Sequence, residues 1–254
     1  MKKLNIIIFC SITLFFYSCE KNSEDPEVID CNDYHWEYDG SSAPDTWSAC
    51  YSECDGASQS PINIQGAIMD TSLSALNINY ENVPIELIYN GHTIDFVYGF
   101  GSSLNLNGVE YSLLQFHFHT HSEHSIDNSF SPLEVHLVHR DPVTKNLAVI
   151  GVLLDEGNEN EFLSKFINDL PDNEEFPFNS NEMVNVSDIL PENNGYYSYS
   201  GSLTTPPCSE NVAWFVMKSK MEASESQINK IQDIIKDNFR PLEMLNDREI
   251  KSFN

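Results

Sequence analysis

The chain has 254 residues, 41% of them hydrophobic, enough to bury one full core, and it shows no internal repeat, which sets solenoids and propellers aside. Its 39 acidic and 13 basic side chains give a formal net charge of -26, a balance that repels nucleic-acid phosphates and excludes them as partners. One soluble domain is expected, and the charge itself is assigned no chemical role.

At the start, Lys2 and Lys3 precede an apolar run over residues 4–17, shaped like the charged and hydrophobic regions of a secretory signal and short for a bilayer span. The next residues, Phe16-Tyr17-Ser18-Cys19, resemble a bacterial lipobox with Phe16 in place of the usual aliphatic residue. The expected organisation is a lipoprotein signal peptide over 1–18, a polar flexible tether over 19–30 and a folded domain over 31–254. Lipid on Cys19 would anchor the protein to a membrane of the bacterial cell envelope, facing periplasm or cell surface; more than one acyl chain makes such an anchor stable. With Cys10 inside the signal and Cys19 acylated, Cys31, Cys50, Cys54 and Cys208 remain. An even number in an oxidising compartment implies disulfides, with three possible pairings. A zinc site on Cys50 and Cys54 lacks a matching second pair.

Further along, short strands between turn residues are predicted over 85–89, 94–98, 103–106, 113–119, 133–139, 147–154 and 212–218, with Asn90-Gly91 and Asn107-Gly108 marking tight turns or loop ends. Phe162, Leu163, Phe166, Ile167 and Leu170 recur at helical spacing. So do Ile228, Ile231, Ile234 and Ile235, behind a Ser224-x-x-Gln227 capping box. The domain reads as a sheet with a few peripheral helices.

Six of the eight histidines fall between His117 and His139, inside two predicted strands and the segment joining them. A single histidine is usually an ordinary polar residue, so the argument rests on their pattern. Side chains on a strand alternate faces, so His117 and His119 project together, as do Glu134, His136 and Val138. If the strands are neighbours, three imidazoles converge. Zinc held by three histidines keeps a fourth position for water, the arrangement of a catalytic rather than a structural site.

Four stretches carry a resemblance: Gln115-Phe116-His117-Phe118-His119, Ser122-Glu123-His124, Glu134-Val135-His136-Leu137-Val138-His139, and Gly201-Ser202-Leu203-Thr204-Thr205-Pro206-Pro207-Cys208. In order and spacing they look like the α-class carbonic anhydrases of bacterial type. The likeness runs from Trp36-Glu37-Tyr38, through Gln59-Ser60-Pro61-Ile62-Asn63-Ile64, to Asn238-Phe239-Arg240-Pro241-Leu242. It implies a mainly β (α+β) single domain, a twisted, mostly antiparallel sheet of about ten strands with peripheral helices and a conical cleft. It also implies reversible hydration of CO2 to bicarbonate and a proton by a zinc-bound hydroxide, with one Zn2+ per chain on His117, His119 and His136.

The remaining roles come from the same resemblance. Gln115, Glu134 and the Asn238 carbonyl hold the ligands' second nitrogens. Thr204 orients the nucleophile and donates to Glu123, and Thr205 supports bicarbonate. Val138, Val149, Leu203, Val212 and Trp214 form the CO2 pocket. His92 shuttles the proton through water ordered by Tyr38, Asn90 and Asp95. Cys54 and Cys208 match the bacterial disulfide, which leaves Cys31 with Cys50. His124 and His139 match buried structural positions, His35 is expected on the surface, and His121 is expected at the rim or as an accidental metal ligand. Sulfonamide and anion inhibitors are expected, with the protein a monomer or homodimer.

Two rival readings stand beside this one. His117-x-His119-x3-Glu123 also fits the first half of a cupin motif, with Glu123 binding iron or manganese for dioxygenase chemistry. A non-catalytic binding lipoprotein on the carbonic anhydrase fold is the other.

Overall fold

The computed structural model describes residues 30–99 and 101–254, so the expected signal segment, Cys19 and the tether up to residue 29 lie outside the described residues. Ten strands form the main path of one sheet: β1 (Ile68–Met69), β2 (Val83–Tyr89), β3 (Ile94–Val97), β4 (Val109–His119), β5 (Leu133–Arg140), β6 (Leu147–Glu156), β7 (Phe178–Val184), β8 (Tyr196–Ser202), β9 (Glu210–Met217) and β10 (Lys251–Phe253). Their spatial order is β7-β2-β3-β4-β5-β6-β9-β8-β10-β1. Only β6 with β9 and β10 with β1 pair in parallel along this path; the other junctions are antiparallel. The chain is therefore mainly β, as expected, and among the described residues no helix is long and apolar enough to cross a membrane.

Local sequence explains the elements. Asn107 and Gly108 both adopt positive φ (53° and 87°) in the two-residue turn from the strand Ser103–Leu106 into β4, the conformation that favours Asn-Gly there. Between β2 and β3, the Asn90 side-chain oxygen accepts the N–H groups of His92 and Thr93, while Gly91 takes φ 91°. Central β6 carries an apolar run, Leu147-Ala148-Val149-Ile150-Gly151-Val152-Leu153-Leu154, and is buried on both faces. Helix α2 (Glu225–Ile235) starts at the Ser224/Gln227 capping box and buries Ile228, Ile231 and Ile235.

Two sequence expectations need correction. The helical spacing from Phe162 to Leu170 yields only a short α1 (Glu161–Ser164). Beyond it, Lys165 and Phe166 donate to carbonyls three residues back, and Pro171 follows Leu170, a residue pair that disfavours continued helix. Phe162, Leu163, Phe166 and Ile167 still reach the core. The second correction concerns β4, which does not alternate uniformly over 113–119. Leu113 lies opposite His139 and Gln115 opposite Val138, so a bulge inserts one residue between them. Leu113 consequently packs in the core with Phe116 and Phe118, whereas Gln115, only two residues later, faces the other side.

The core has unequal layers. One face of the sheet packs against α1 and α2 through rings such as Phe96, Phe116, Phe118, Phe162 and Phe166. A smaller cluster around Ile62, Val149, Tyr199, Val212 and Trp214 includes the partly buried Val138 and Leu203. A third, aromatic group gathers Tyr34, Trp36, Tyr38 and Tyr51 on Trp47 beside Cys54 and Cys208.

Both disulfides form, Cys31–Cys50 and Cys54–Cys208, closing sequence separations of 19 and 154 residues. These bridges displace the alternative of a cysteine zinc site. Because loop-closure entropy grows with loop length, Cys54→Ala/Cys208→Ala is expected to destabilise by about 2 kcal/mol more than Cys31→Ala/Cys50→Ala. Urea unfolding of the two double variants checks this, and equal losses would contradict it.

Candidate metal centre

The pairing of β4 with β5 builds the centre. His117 stands directly opposite His136, and His119 opposite Glu134, so all four side chains share one face of the sheet. Each imidazole has one nitrogen occupied. His117 Nδ1 donates to Gln115 Oε1 at 2.9 Å, His119 Nδ1 to the Asn238 carbonyl at 2.7 Å, and His136 Nε2 to Glu134 Oε1 at 2.9 Å. These bonds fix the tautomers and leave His117 Nε2, His119 Nε2 and His136 Nδ1 with bare lone pairs. A ligand atom from each of the three histidines lies within 4.8 Å of the others.

The donors suit a metal such as zinc. His119 Nε2 is buried without any hydrogen-bond partner, a costly state for a polar atom unless something binds it. Burial pushes the His117 pKa well below its ordinary value, and repulsion from His119 and His136 acts in the same direction. Burial also lowers His119, against the pull of Glu123. Both rings are therefore neutral at neutral pH, the form that ligates.

Glu134 serves two histidines, since His124 donates to it from its backbone N–H and from Nδ1, both at 2.8 Å. Against the opposing effect of burial, His124 and His136 hold the Glu134 carboxyl well below the usual carboxylate range. His124, Glu134 and His136 also gather closely, but hydrogen bonds join them, which makes the carboxylate an orienting group. Gly151 on β6, opposite His136, leaves room for it: a Cβ there would lie 2.9 Å from Glu134 Oε1.

Glu123 is fully buried, with Oε1 accepting the Arg240 backbone N–H at 2.9 Å. Its Oε2 has no hydrogen-bond partner and lies 3.5 Å from His119 Nε2 and 3.8 Å from His136 Nδ1. Oε2 faces the bare histidine nitrogens and is free of any hydrogen bond, the expected one from Thr204 included, so it is open to a donor. Thr204 is buried in the loop after β8, and the neighbouring Thr205 accepts the Cys208 N–H with its carbonyl. Val138, Val149, Leu203, Val212 and Trp214 form one apolar cluster, and the Trp214 ring reaches His136 with 4.8 Å between centroids.

His92 is half-buried and lies flat on Trp36, with its Nδ1 3.8 Å from Glu37. Tyr38 meets the same ring edge-on at 6.2 Å. Asn90 donates to Asp95 Oδ2 at 2.9 Å, while Asp95 Oδ1 is buried without a partner and burial raises that carboxyl's pKa. The shuttle candidate and the three residues expected to order its water thus lie near one another. His121 is not among the residues gathered for a metal; it stacks on Phe239 and touches Phe130 at the rim. His35 is exposed, and His124 and His139 are buried.

Sequence reasoning left Arg240 without a role, and it also missed Gly151, Trp36 and Glu37. Beyond its bond to Glu123, Arg240 donates to Gln59 Oε1 and to the Ser60 and Cys54 carbonyls, pinning residues 54–60 under the site. Arg240 lies in a stretch that the resemblance covers, and it pairs locally with Glu243 at 3.0 Å, but its partners Glu123, Gln59, Ser60 and Cys54 lie more than a hundred residues away and no local pattern reveals them.

Fold and site together define a sheet protein built around a three-histidine cluster able to hold a metal, with an apolar wall beside it. The family model of eukaryotic-type carbonic anhydrases matches residues 42–254. A carbonic anhydrase of Nostoc sp. is 39% identical over 223 residues, covering 84% of each chain. Among solved structures, a hyperthermostable carbonic anhydrase from a hydrothermal vent chimney superposes with a TM-score of 0.83 at 40% identity, covering 87% of this chain and 100% of its own. The α-carbonic anhydrase of Thermovibrio ammonificans in complex with the inhibitor sulfanilamide gives 0.82 at 38% identity, covering 85% and 98%. The chain belongs to the α-class, eukaryotic-type carbonic anhydrase family and is an enzyme of that family. The cupin reading falls, because the match covers the whole fold and not the histidine motif alone, and the relatives that are carbonic anhydrases support an enzyme over a non-catalytic binding protein on this fold.

His139 generates a prediction about stability. Its Nδ1 donates to the Ala148 carbonyl and its Nε2 meets the Tyr80 hydroxyl at 2.7 Å, and burial lowers its pKa to about 4. The unfolded chain binds this proton at higher pH than the folded one, so the contribution is complete above the unfolded pKa of about 6.5 and is lost as pH falls through about 4. Denaturation at pH 7 and pH 4 should show His139→Gln losing less stability on acidification than the wild type, by about 3 kcal/mol. Parallel pH profiles would refute this assignment.

Proposed function

We propose that the chain hydrates CO2 reversibly to bicarbonate and a proton, with one zinc ion held by His117, His119 and His136. The carrying observation is that three bare imidazole nitrogens converge while their opposite nitrogens are tied to Gln115, Asn238 and Glu134. Zinc bound there supplies Lewis acidity that makes water nucleophilic near neutral pH. The chain's own residues do the rest. Thr204 accepts a hydrogen bond from the nucleophile and donates to Glu123, whose Oε2 is the acceptor left free once Arg240 has occupied Oε1. Such a relay aims a lone pair at the carbon of CO2, and Thr205 supports the product.

Uncharged CO2 needs an apolar surface beside the reacting water, and the Val138, Val149, Leu203, Val212 and Trp214 cluster supplies it next to His136. His92 then carries the proton outward, receiving it through water ordered by Tyr38, Asn90 and Asp95. Sulfonamides and small anions are proposed as inhibitors, in line with the sulfanilamide complex of the Thermovibrio relative. Lipid on Cys19 is proposed to hold the enzyme at a bacterial envelope membrane.

Purified wild type should contain one zinc per chain and hydrate CO2 rapidly in stopped flow, and His119→Ala should lose both. Glu134→Gln should weaken zinc binding roughly 10- to 100-fold, since it orients His136 without ligating. A folded, zinc-loaded but inactive wild type would overturn the activity. For the anchor, radiolabelled palmitate should enter the wild type and not Cys19→Ala, which should move to the soluble fraction; unlabelled wild type would count against lipidation.

A further inference from the structure

His92 sits between two carboxylates from distant segments. Glu37 Oε2 faces its Nδ1 at 3.8 Å, beside the Trp36 ring on which the imidazole lies with 3.7 Å between centroids and 14° between planes. Glu174, from the loop between α1 and β7, reaches over the Asn90-Gly91 turn, where a Cβ on Gly91 would meet its Oε1 at 2.7 Å. His92 and Glu37 both line a cavity of about 440 Å³, with Asp39, Lys236 and Asp237 as its other charged groups.

We propose that Glu37 and Glu174 are positioning residues for His92, holding its protonated ring outward on Trp36 so that the proton leaves into the acidic cavity. The proposal rests on His92 being the proton carrier. Burial pulls the His92 pKa below its ordinary value, while Glu37 and Glu174 push it back up. Besides Asp39, Lys236 and Asp237, the cavity they share with His92 is lined by Tyr38 and Tyr89, whose pKa values are raised by burial, so both remain neutral phenols. Carboxylates attract the imidazolium and not the neutral ring, so the hold engages only after a proton has been taken up. On release, the proton passes from the ring to water or buffer in the cavity and the ring returns to neutrality. Neither carboxylate is consumed.

The test compares zinc-loaded wild type with Glu37→Gln/Glu174→Gln. The pKa of His92, followed by NMR of its ring, should fall by roughly 0.3 to 1 unit, the range set by two solvent-screened pairs. In dilute buffer kcat should change about two- to tenfold, matching that change in proton affinity, with kcat/KM for CO2 unaltered. Glu37→Asp/Glu174→Asp should recover most of both effects. An unmoved His92 pKa would overturn the proposal, as would a parallel loss of kcat/KM, which marks a structural defect. A shifted pKa with unchanged kcat would instead overturn His92 as the carrier, and outward delivery with it.

Discussion

The register between β4 and β5 is the constraint on which the site depends. With His117 opposite His136, three bare imidazole nitrogens meet on one face, and a slip of β4 by one residue would send His117 and His119 to the other face, away from His136. The bulge between Leu113 and Gln115 makes this register compatible with the core. Before it, odd-numbered Leu113 points into the large apolar layer; after it, odd-numbered Gln115, His117 and His119 point into the site and even-numbered Phe116 and Phe118 fill the core. One extra residue thus lets a single long strand serve a hydrophobic layer on both sides of the bulge and a polar centre at one end.

Around that register, the buried carboxylates set the chemistry. Glu134 and Glu123 are both fully buried beside the ligands, yet they differ in what they accept. Glu134 is saturated by His124 and His136, which suits a group that orients. Glu123 has one oxygen anchored by Arg240 and the other free, which suits the acceptor role proposed for it. A chain of net charge -26 thus places its critical negative charge in two internal positions, away from the acidic surface.

Much of this was legible in the sequence. The alternation around His117, His119 and His136, the Asn-Gly turns and the Ser224 capping box are local patterns, and each produced the element expected of it. The bulge was not legible, because Leu113 and Gln115 have the spacing of one face and only pairing with β5 separates them. The short α1 was misread for a similar reason: apolar spacing persists through turns that bury the same residues without helical hydrogen bonds. Arg240 and Gly151 act on partners distant in the chain, and residue type alone does not reveal such contacts.

The bond from His119 to the Asn238 carbonyl joins residues 119 positions apart, and Asn238 side-chain bonds tie the same point to Thr120, Phe118 and His92. The His119 ring is therefore oriented only when the C-terminal segment has docked, after almost the whole chain has been gathered. Contacts of such long range form slowly, because loop closure precedes any reward. The proposed metal ion would then bind tightly only to the finished molecule, and by mass action its affinity would be added to the native state while partly folded forms gained little. With the proposed zinc, assembly and metal loading would be one ordered process, the ion acting as a late check on completed folding.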